Sequence, residues 1–355
     1  MTRVEKIIRQ TGLQSGEAIM LSKPSNIFYA SGYTGEGIAL IANDLCAIVT
    51  DFRYTEQAGR QAPAFKAYEI KTGQSHYALA NELLHDHHIT TVRFEADEVT
   101  VAGFEQIRRD MAGMTFTALH GEVEKVRQIK EDCEIALIEE ACDISVRAFE
   151  KLLGMVKEGM TEQDLRIALD FEMLKLGGDG NAFDTIVASG ENGSLCHAVP
   201  GPRKLRKGDM VTLDFGAKKG GYCADMTRTF ALGQPSAEMK KIYDVVLEAQ
   251  VASQNALHAG LRGCDVDKIA RDIIDNAGYK GCFGHGLGHS VGIDIHESPR
   301  LSATCTDVLE ENVTMTVEPG IYVAGLGGVR IENTCVIGRE SSRTLVHAQK
   351  ELIIL

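Results

Sequence analysis

The sequence has little positive charge and no long apolar run, and both absences exclude classes of function. Its 355 residues contain 37 Lys and Arg against 50 Asp and Glu, a formal net charge of −13. Because a nucleic-acid surface needs a basic patch, we expect no nucleic-acid partner. No apolar stretch approaches the roughly 20 residues that span a bilayer, so we expect no membrane anchor. The start, MTRVEKIIRQTGLQSGEAIML, has no apolar run after its basic residues, which argues against a signal peptide.

The cysteines show no disulfide or thiolate-metal pattern. There are nine of them, an odd number, and no two form a CxxC pair. This usage predicts reduced thiols in a cytoplasmic protein. Cys196 and Cys223 lie near the candidate site described below, and we interpret both as small packing residues.

Length and composition predict two domains, since 355 residues with 44% hydrophobic content can bury two substantial cores. Residues 1–120 are predicted to be mixed α/β, with a hairpin turn at Asn43-Asp44. A long helix is predicted from about Val126 through Leu153, and Thr161 is predicted to cap the next one. Further helices are predicted over Ala237–His258 and Val266–Asn276. The coarse order, helices around an antiparallel and hairpin-rich sheet, predicts an α+β fold.

Five side chains of types that bind metals lie in the last third of the chain. They stand in apolar, glycine-rich segments: Asp214, Asp225, His289, Glu318 and Glu332. A buried ionised carboxylate costs several kcal/mol unless it is paired or bound to a metal. Oxygen-rich ligands with one imidazole and no thiolate suit Mn²⁺ or Co²⁺ better than a structural zinc site. The pattern therefore predicts a dinuclear hydrolase.

The spacing of the carboxylates supports this prediction. If the first hairpin turns at Lys219-Gly220, Asp214 and Asp225 stand opposite each other on antiparallel strands. Directly opposed residues have Cβ atoms about 5 Å apart, where like charges are destabilising and a cation reverses the sign. The two glutamates repeat the arrangement around Gly325. We therefore expect two hairpins, each with an opposed carboxylate pair, to face a bimetallic site.

Histidines outside this set need separate interpretation. Glycines at 284, 286 and 288 make a helix through His285 and His289 unfavourable, so we predict a strand or loop there. His296 begins an apparent HExxH motif, but position 300 is Arg, so a zincin site is excluded. The group at 85, 87 and 88 is interpreted as a solvated helix end.

The order and context of the five residues resemble the metal-dependent "pita-bread" peptidases: methionine aminopeptidase, aminopeptidase P and prolidase. The words that carry the resemblance are LDFGA, DMTRTF, GHGLGHSVGIDIHESPRLS, TVEPGIY and GGVRIENT, with HAVPG upstream. SNIFYASGYTGEGIALI and TDFRYTEQA resemble the accessory domain of Xaa-Pro peptidases, so the likeness covers nearly the whole chain. Many relatives have Asp where this chain has Asn333, a departure that leaves the ligands untouched.

The resemblance implies a fold, partners and a cofactor. It implies a C-terminal pita-bread catalytic domain over residues 123–355 and a smaller N-terminal α/β accessory domain, creatinase-N-like, over residues 1–122. It also implies two divalent metal ions per chain, Mn²⁺ or Co²⁺, together with short proline-containing peptides as substrates and a homodimeric assembly. Methionine aminopeptidase fits less well, because it lacks the accessory domain.

The resemblance also implies residue roles. Asp225 and Glu332 would bridge the two ions, while Glu318 is both a ligand and the group that moves a proton to the leaving nitrogen. The catalytic roles of His197 and His296 would be to donate to the scissile carbonyl or to stabilise the oxyanion. The remaining ligands complete the shells, and His285 is expected in the substrate site.

Three functions stay open at this point. The first is an Xaa-Pro dipeptidase, which the sequence favours because Arg300 resembles the arginine with which prolidases bind a dipeptide's C-terminal carboxylate. The second is an Xaa-Pro aminopeptidase, since some relatives of that type also carry HExPR. The third is a catalytically silent binding module on the same fold. Retention of all five ligand positions favours an enzyme.

Overall fold

The computed structural model describes residues 1–355, which form two compact units, residues 1–127 and 128–355. A two-domain organisation is therefore confirmed. The predicted boundary after residue 122 lies at the start of a helix that runs from Glu122 to Gln128. No helix has the length and apolarity needed to span a bilayer.

The N-terminal unit is built on one mixed six-stranded sheet. Its strands are β1 (Glu17–Leu21), β2 (Ile38–Ala42), β3 (Leu45–Thr50), β4 (Lys66–Glu69), β5 (Thr91–Glu95) and β6 (Thr115–Leu119). Its helices are α1 (Arg3–Thr11), α2 (Pro24–Ser31), α3 (Thr55–Gln61), α4 (His76–Asp86) and α5 (Val101–Asp110), followed by α6 (Glu122–Gln128). The strand order is β4-β3-β2-β1-β5-β6, and β2 and β3 turn at Asn43-Asp44 as predicted.

One apolar core supports this sheet, and the predicted histidine group lies away from it. Leu40 and Val49 of the sheet share a buried cluster with Leu84 of α4 and Ile107 of α5. The helix α4 ends at Asp86, so the three histidines at 85, 87 and 88 flank a helix end, as predicted.

The C-terminal unit contains helices around several small antiparallel sheets, which confirms the α+β prediction. Its helices are α7 (Asp132–Leu153), α8 (Glu162–Lys175), α9 (Ala237–Ala256) and α10 (Gly263–Ile274), with a 3₁₀ turn over Gly190–Ser194 and a π turn over Asp275–Tyr279. Its first strands are β7 (Gly180–Asn181), β8 (Ile186–Ser189), β9 (Met210–Phe215), β10 (Ala217–Lys219), β11 (Tyr222–Cys223) and β12 (Met226–Ala231). The later strands are β13 (Gly288–Ser290), β14 (Glu297–Leu301), β15 (Thr314–Val317), β16 (Gly320–Val323), β17 (Gly327–Arg330), β18 (Asn333–Ile337) and β19 (Ser342–Thr344).

Two of these sheets carry the site. The order β12-β9-β8 defines a three-stranded sheet, and β14-β13-β15-β18-β19 defines a five-stranded sheet. A separate pair, β16 and β17, extends from β15 and β18. Behind them, Ile242 and Val246 of α9 and Ala270 of α10 are buried in one cluster with Met315 and Val317 of β15.

The helix predicted from Val126 through Leu153 is interrupted, and that prediction is wrong at residues 129–131. The backbone amide of Lys130 donates to the carbonyl of Asn312 (2.9 Å) instead of continuing a helix. Glu131 then caps α7 through a reciprocal hydrogen-bond pair with Glu134. A tertiary contact thus overrides local helix propensity.

The start of α8 agrees with the prediction. The hydroxyl of Thr161 accepts a hydrogen bond from the amide of Asp164 (3.0 Å), and the Asp164 carboxylate accepts one from the amide of Thr161 (2.8 Å). This reciprocal capping box satisfies two amides that the first helical turn would otherwise leave unpaired.

Candidate metal centre

The first carboxylate hairpin places two aspartates on one face of the β9–β12 sheet. Asp214 pairs with Thr227, so the predicted direct opposition of Asp214 and Asp225 is wrong by two residues. The turn lies at Gly220-Gly221, both with positive φ (55° and 85°), and not at Lys219-Gly220. Two left-handed turn residues favour glycine at both positions, which fixes this register. A shift of two residues preserves the face, so the two carboxylates still point the same way.

The second carboxylate hairpin has the predicted register. The pairing of β15 with β18 and that of β16 with β17 share one register, so Glu318 stands opposite Glu332 in the gap between them. Their backbone amides bond elsewhere, Glu318 to the carbonyl of Leu287 (2.8 Å) and Glu332 to that of Thr227 (3.1 Å). These bonds tie the hairpin to the strands that carry the other ligand candidates.

The imidazole of His289 completes the cluster. Its Nδ1 lies 3.0 Å from the carbonyl oxygen of Ser290, the geometry of a donated N–H. The other nitrogen, Nε2, lies 3.5 Å from Asp225 Oδ2 and 3.4 Å from Glu318 Oε1. Because the Nδ1 proton is bound to a carbonyl, Nε2 presents a lone pair toward the carboxylates, as in a histidine ready to bind a metal.

The carboxylates crowd each other in a buried place. One ligand oxygen each of Asp214, Asp225 and Glu332 lies within 4.8 Å of the other two. Asp225 is 5% exposed and Glu332 is 1% exposed. Asp214 Oδ1 and Glu332 Oε1 are buried without any hydrogen-bond partner. Buried polar atoms are normally satisfied, so these two oxygens are suited to bind a cation.

The electrostatics of the protein without a cation agree with this. Burial and then neighbouring carboxylates raise the pKa of Asp225 and of Glu332 well above the usual range. Burial raises the pKa of Glu318 to about 8. Burial also lowers the pKa of His289 to about 4, which keeps the imidazole neutral. A neutral imidazole cannot balance the carboxylates, whereas divalent cations would.

The donor set therefore fits divalent cations with oxygen ligands. It offers four carboxylates and one neutral imidazole. The buried thiol of Cys223, which is 1% exposed, donates to the carbonyl oxygen of Ile293 (Sγ to O, 3.4 Å). Oxygen donors with one nitrogen suit metals such as Mn²⁺, and the packing role predicted for this cysteine agrees with its contact.

An arginine that the sequence reasoning did not select holds one edge of the cluster. Arg330 is 3% exposed and donates from Nη2 to Asp214 Oδ2 (2.6 Å) and from Nη1 to the hydroxyl of Tyr322 (2.7 Å). That hydroxyl lies 2.9 Å from Nε2 of His285, whose Nδ1 lies 2.8 Å from the carbonyl of Gly286. Burial lowers the pKa of His285 to about 4, so the ring is neutral and its Nε2 accepts a hydrogen bond from the Tyr322 hydroxyl.

A signal for Arg330 was present in the sequence. It precedes Glu332 by two residues in GGVRIENT, so both side chains share a strand face. Tyr322 stands four residues after Glu318, again on the same parity. Strand parity thus places both side chains on the face of the candidate ligands, although it does not identify the partners that they meet.

All the predicted site residues line one cavity of about 540 Å³. Besides the five ligand candidates, it is lined by His197, His285, His296 and Arg300. The His296 ring stacks edge-on against that of His289, with centroids 4.5 Å apart. Cys196, predicted to be a packing residue, also lines the cavity. The structure brings these residues together, and their individual roles stay predictions.

Comparison with known proteins agrees with the fold. Residues 136–339 match the model of metallopeptidase family M24, and residues 3–129 match that of the creatinase/prolidase N-terminal domain. An Xaa-Pro dipeptidase of Pyrococcus furiosus is 32% identical over 99% of both chains. The structure of an Xaa-Pro dipeptidase from Bacillus anthracis matches with a TM-score of 0.95 at 38% identity, covering 99% of each chain. An X-Pro aminopeptidase from Thermotoga maritima MSB8 matches with a TM-score of 0.92 at 35% identity, covering 98% of this chain and 100% of that one.

Proposed function

This chain belongs to metallopeptidase family M24, with the predicted pita-bread fold and a creatinase/prolidase N-terminal domain, and we propose that it is a dinuclear Xaa-Pro dipeptidase. It is thus a hydrolase rather than a silent binding module. The observation that carries the proposal is the cavity in which four carboxylates and a neutral imidazole meet an exposed arginine.

The arrangement of the ligands supports two ions. Asp214, Asp225 and Glu332 form one group, within 4.8 Å of one another. His289 contacts Glu318 at 3.4 Å and Asp225 at 3.5 Å, which makes a second group. Asp225 belongs to both groups, as a bridging carboxylate must, and Glu332 stands opposite Glu318. We therefore assign Asp225 and Glu332 as bridges between two ions, Mn²⁺ or Co²⁺.

Divalent cations held by these ligands would supply Lewis-acid activation of water and of the scissile carbonyl. The protein's own contribution begins with Glu318, whose side chain is 16% exposed, against 13% for Asp214 and 7% for Asp225. It is therefore the most accessible carboxylate among these three. A hydrogen bond from the Thr316 hydroxyl to its Oε1 (3.2 Å) orients the group. Glu318 can take a proton from the attacking water and give it to the imide nitrogen of proline, the leaving group of an Xaa-Pro bond.

His197 and His296 are assigned to the carbonyl side of the reaction. Both are exposed and line the cavity. Partial desolvation, with a smaller effect from Arg300, lowers the pKa of His296 and so favours the neutral ring. A neutral imidazole still carries one N–H, which can donate to the oxyanion as charge develops there.

Arg300 supports the dipeptidase assignment. It pairs with His289 across β13 and β14, so its side chain starts one strand away from the metal ligands. It is exposed, lines the cavity, and is engaged in none of the chain's ion pairs. A guanidinium binds a carboxylate through two parallel hydrogen bonds, and a dipeptide presents its C-terminal carboxylate close to the scissile bond.

An Xaa-Pro aminopeptidase is the second candidate. The likeness to the Thermotoga maritima X-Pro aminopeptidase, at 35% identity over nearly the whole chain, supports it. The two functions differ in whether residues after proline are accepted. His285 is a weaker indicator than Arg300 of whether the substrate is a dipeptide or a longer peptide. Both of its ring nitrogens are engaged with protein atoms.

Assembly and location complete the proposal. We propose a homodimer, supported by an apolar stripe on α8 where Ile167, Phe171 and Leu174 are 58%, 60% and 51% exposed. We propose a cytoplasmic location, supported by nine cysteines that are all free.

Product analysis on matched peptides tests the function. The Mn²⁺-loaded protein is incubated with Ala-Pro, Ala-Pro-Ala and, as a control for the proline position, Pro-Ala. We expect cleavage of Ala-Pro at a kcat/KM well above that for Ala-Pro-Ala, and none of Pro-Ala. A preference for the tripeptide would establish the aminopeptidase, and cleavage of neither proline substrate would refute both assignments.

A further inference from the structure

Lys130 is a buried cation outside the ligand cluster. It is 2% exposed, and its Nζ lies 3.0 Å from Glu297 Oε2 and 3.1 Å from Ser290 Oγ. Desolvation makes such a pair costly, and apolar residues of similar size often stabilise a fold equally well. The geometry of the pair shows what it holds in place: a carboxylate and a hydroxyl on two adjacent strands.

Both partners of the ammonium group are next to site residues. Ser290 follows His289, and Glu297 follows His296. Ser290 and Glu297 are paired across β13 and β14, after a register shift between His289 and Ser290. Residues 291–296, which we call the His296 loop, connect these two strands. Lys130 thus lies where the His296 loop begins and ends.

The Glu297 carboxylate is also built into the loop. Its Oε1 accepts the backbone amide of Asp294 (3.1 Å). Its two oxygens lie against Gly292, where an added Cβ would approach both to 2.7 Å. From the other side, Cys223 of β11 donates its amide to the carbonyl of Gly292 (2.8 Å) and its thiol to that of Ile293 (3.4 Å). The loop is therefore fixed at both sides, and the charge on Glu297 is balanced by Lys130.

We propose that Lys130 is a positioning residue that acts through Glu297 and holds the His296 loop over the metal ligands. The His296 ring, at the end of this loop, contacts the His289 ring with centroids 4.5 Å apart. Removing the ammonium leaves Glu297 as an uncompensated buried charge. Opening of the His296 loop toward water lowers the free-energy cost of that charge, because water then solvates the carboxylate. The catalytic consequence rests on the proposed function, in which His296 donates to the developing oxyanion.

The test compares Lys130→Met with Lys268→Met, which removes an ammonium from an exposed ion pair with Asp272. In the Mn²⁺-loaded enzyme, we expect Lys130→Met to lower kcat for Ala-Pro by about 10- to 100-fold, because small misplacement of a reacting group has that effect. We expect little change in KM, and no change in either constant for Lys268→Met. A loss confined to KM would overturn the assignment.

A double-mutant cycle with His296→Ala separates positioning from general destabilisation. If Lys130 acts through His296, Lys130→Met has little further effect on kcat once the imidazole is gone. Additive losses in kcat would show that Lys130 acts elsewhere and would contradict the proposal.

Hydrogen exchange provides a readout that needs no activity. In the metal-loaded protein, the amide of Asp294 should exchange at least about tenfold faster in Lys130→Met than in wild type, because local opening governs exchange. Unchanged exchange across the His296 loop would refute the inference even in an active enzyme. If wild type cleaves no Xaa-Pro substrate, the proposed function is wrong. Hydrogen exchange still shows whether Lys130 holds the His296 loop. Should Lys130→Met fold poorly, Glu297→Gln tests the same contact from its other side, with the same expected outcomes.

Discussion

Removing the Arg300 guanidinium should weaken binding of a dipeptide far more than binding of a substrate without a C-terminal carboxylate. A hydrogen bond to a charged group is worth about 1.5–3 kcal/mol. Arg300 is exposed, so solvent screening places the effect in the lower part of that range. A loss of about 1.5–2 kcal/mol corresponds to roughly a 10- to 30-fold rise in KM for Ala-Pro with Arg300→Ala, where KM reports binding. Arg300→Lys should recover only part of this loss, since an ammonium lacks the planar fork.

The assay is steady-state hydrolysis of Ala-Pro, Ala-Pro-amide and Ala-Pro-Ala by metal-loaded enzyme. The matched control is Arg339→Ala, which removes an exposed arginine paired with Glu311 and should change none of the constants. In Arg300→Ala, the KM for Ala-Pro-amide and for the tripeptide should rise much less than the KM for Ala-Pro. Equal damage to Ala-Pro and its amide would show that Arg300 does not bind the carboxylate, and would favour the aminopeptidase.

The other predictions concern the ligand cluster and its supports. Asp225→Asn removes a bridging charge, so the metal content should drop and kcat should fall by orders of magnitude. The kcat of Cys223→Ala should stay within several-fold of wild type. If the two variants, measured side by side, are equally inactive, Cys223 is a thiolate ligand. Arg330→Met breaks the 2.6 Å contact with Asp214. Metal affinity, measured by calorimetric titration, should fall by about 10- to 100-fold, because residues that hydrogen-bond metal ligands raise affinity by that factor. Unchanged affinity would contradict a positioning role. In metal-free protein the folded-state pKa of Glu318 is about 8, above its ordinary value of 4.5. The folded protein therefore holds the Glu318 proton more tightly than the unfolded chain does. This stabilisation is complete below pH 4.5 and is lost as the pH rises toward 8. Glu318→Gln should flatten that decline in melting temperature, and an unchanged slope would argue against the raised pKa.

Local spacing places the candidate ligands together, and they line one cavity in the folded chain. The second hairpin was placed correctly because its turn, around Gly325, leaves Glu318 opposite Glu332. The first hairpin was misplaced by two residues, since the pair Gly220-Gly221 adopts the left-handed turn conformation. An even shift preserves the strand face, so the error left the predicted cluster intact.

What the sequence reasoning missed depends on contacts between distant segments. Arg330 reaches Asp214 from 116 positions away. The break before α7 depends on a hydrogen bond from Lys130 to Asn312. Neither contact has a signature in local periodicity, because each joins elements that only the folded chain brings together. Strand parity indicates which side chains share a face, but not which partner they meet.

Metal titration of hydrolysis tests whether two divalent ions carry the activity. Chelated protein is dialysed, reloaded stepwise with Mn²⁺, and assayed on Ala-Pro while bound metal is counted by mass spectrometry. We expect negligible hydrolysis without metal, reversible recovery on reloading, and full activity at two ions per chain. Full activity in rigorously metal-free protein would contradict the mechanism, and saturation at one ion per chain would contradict the dinuclear assignment.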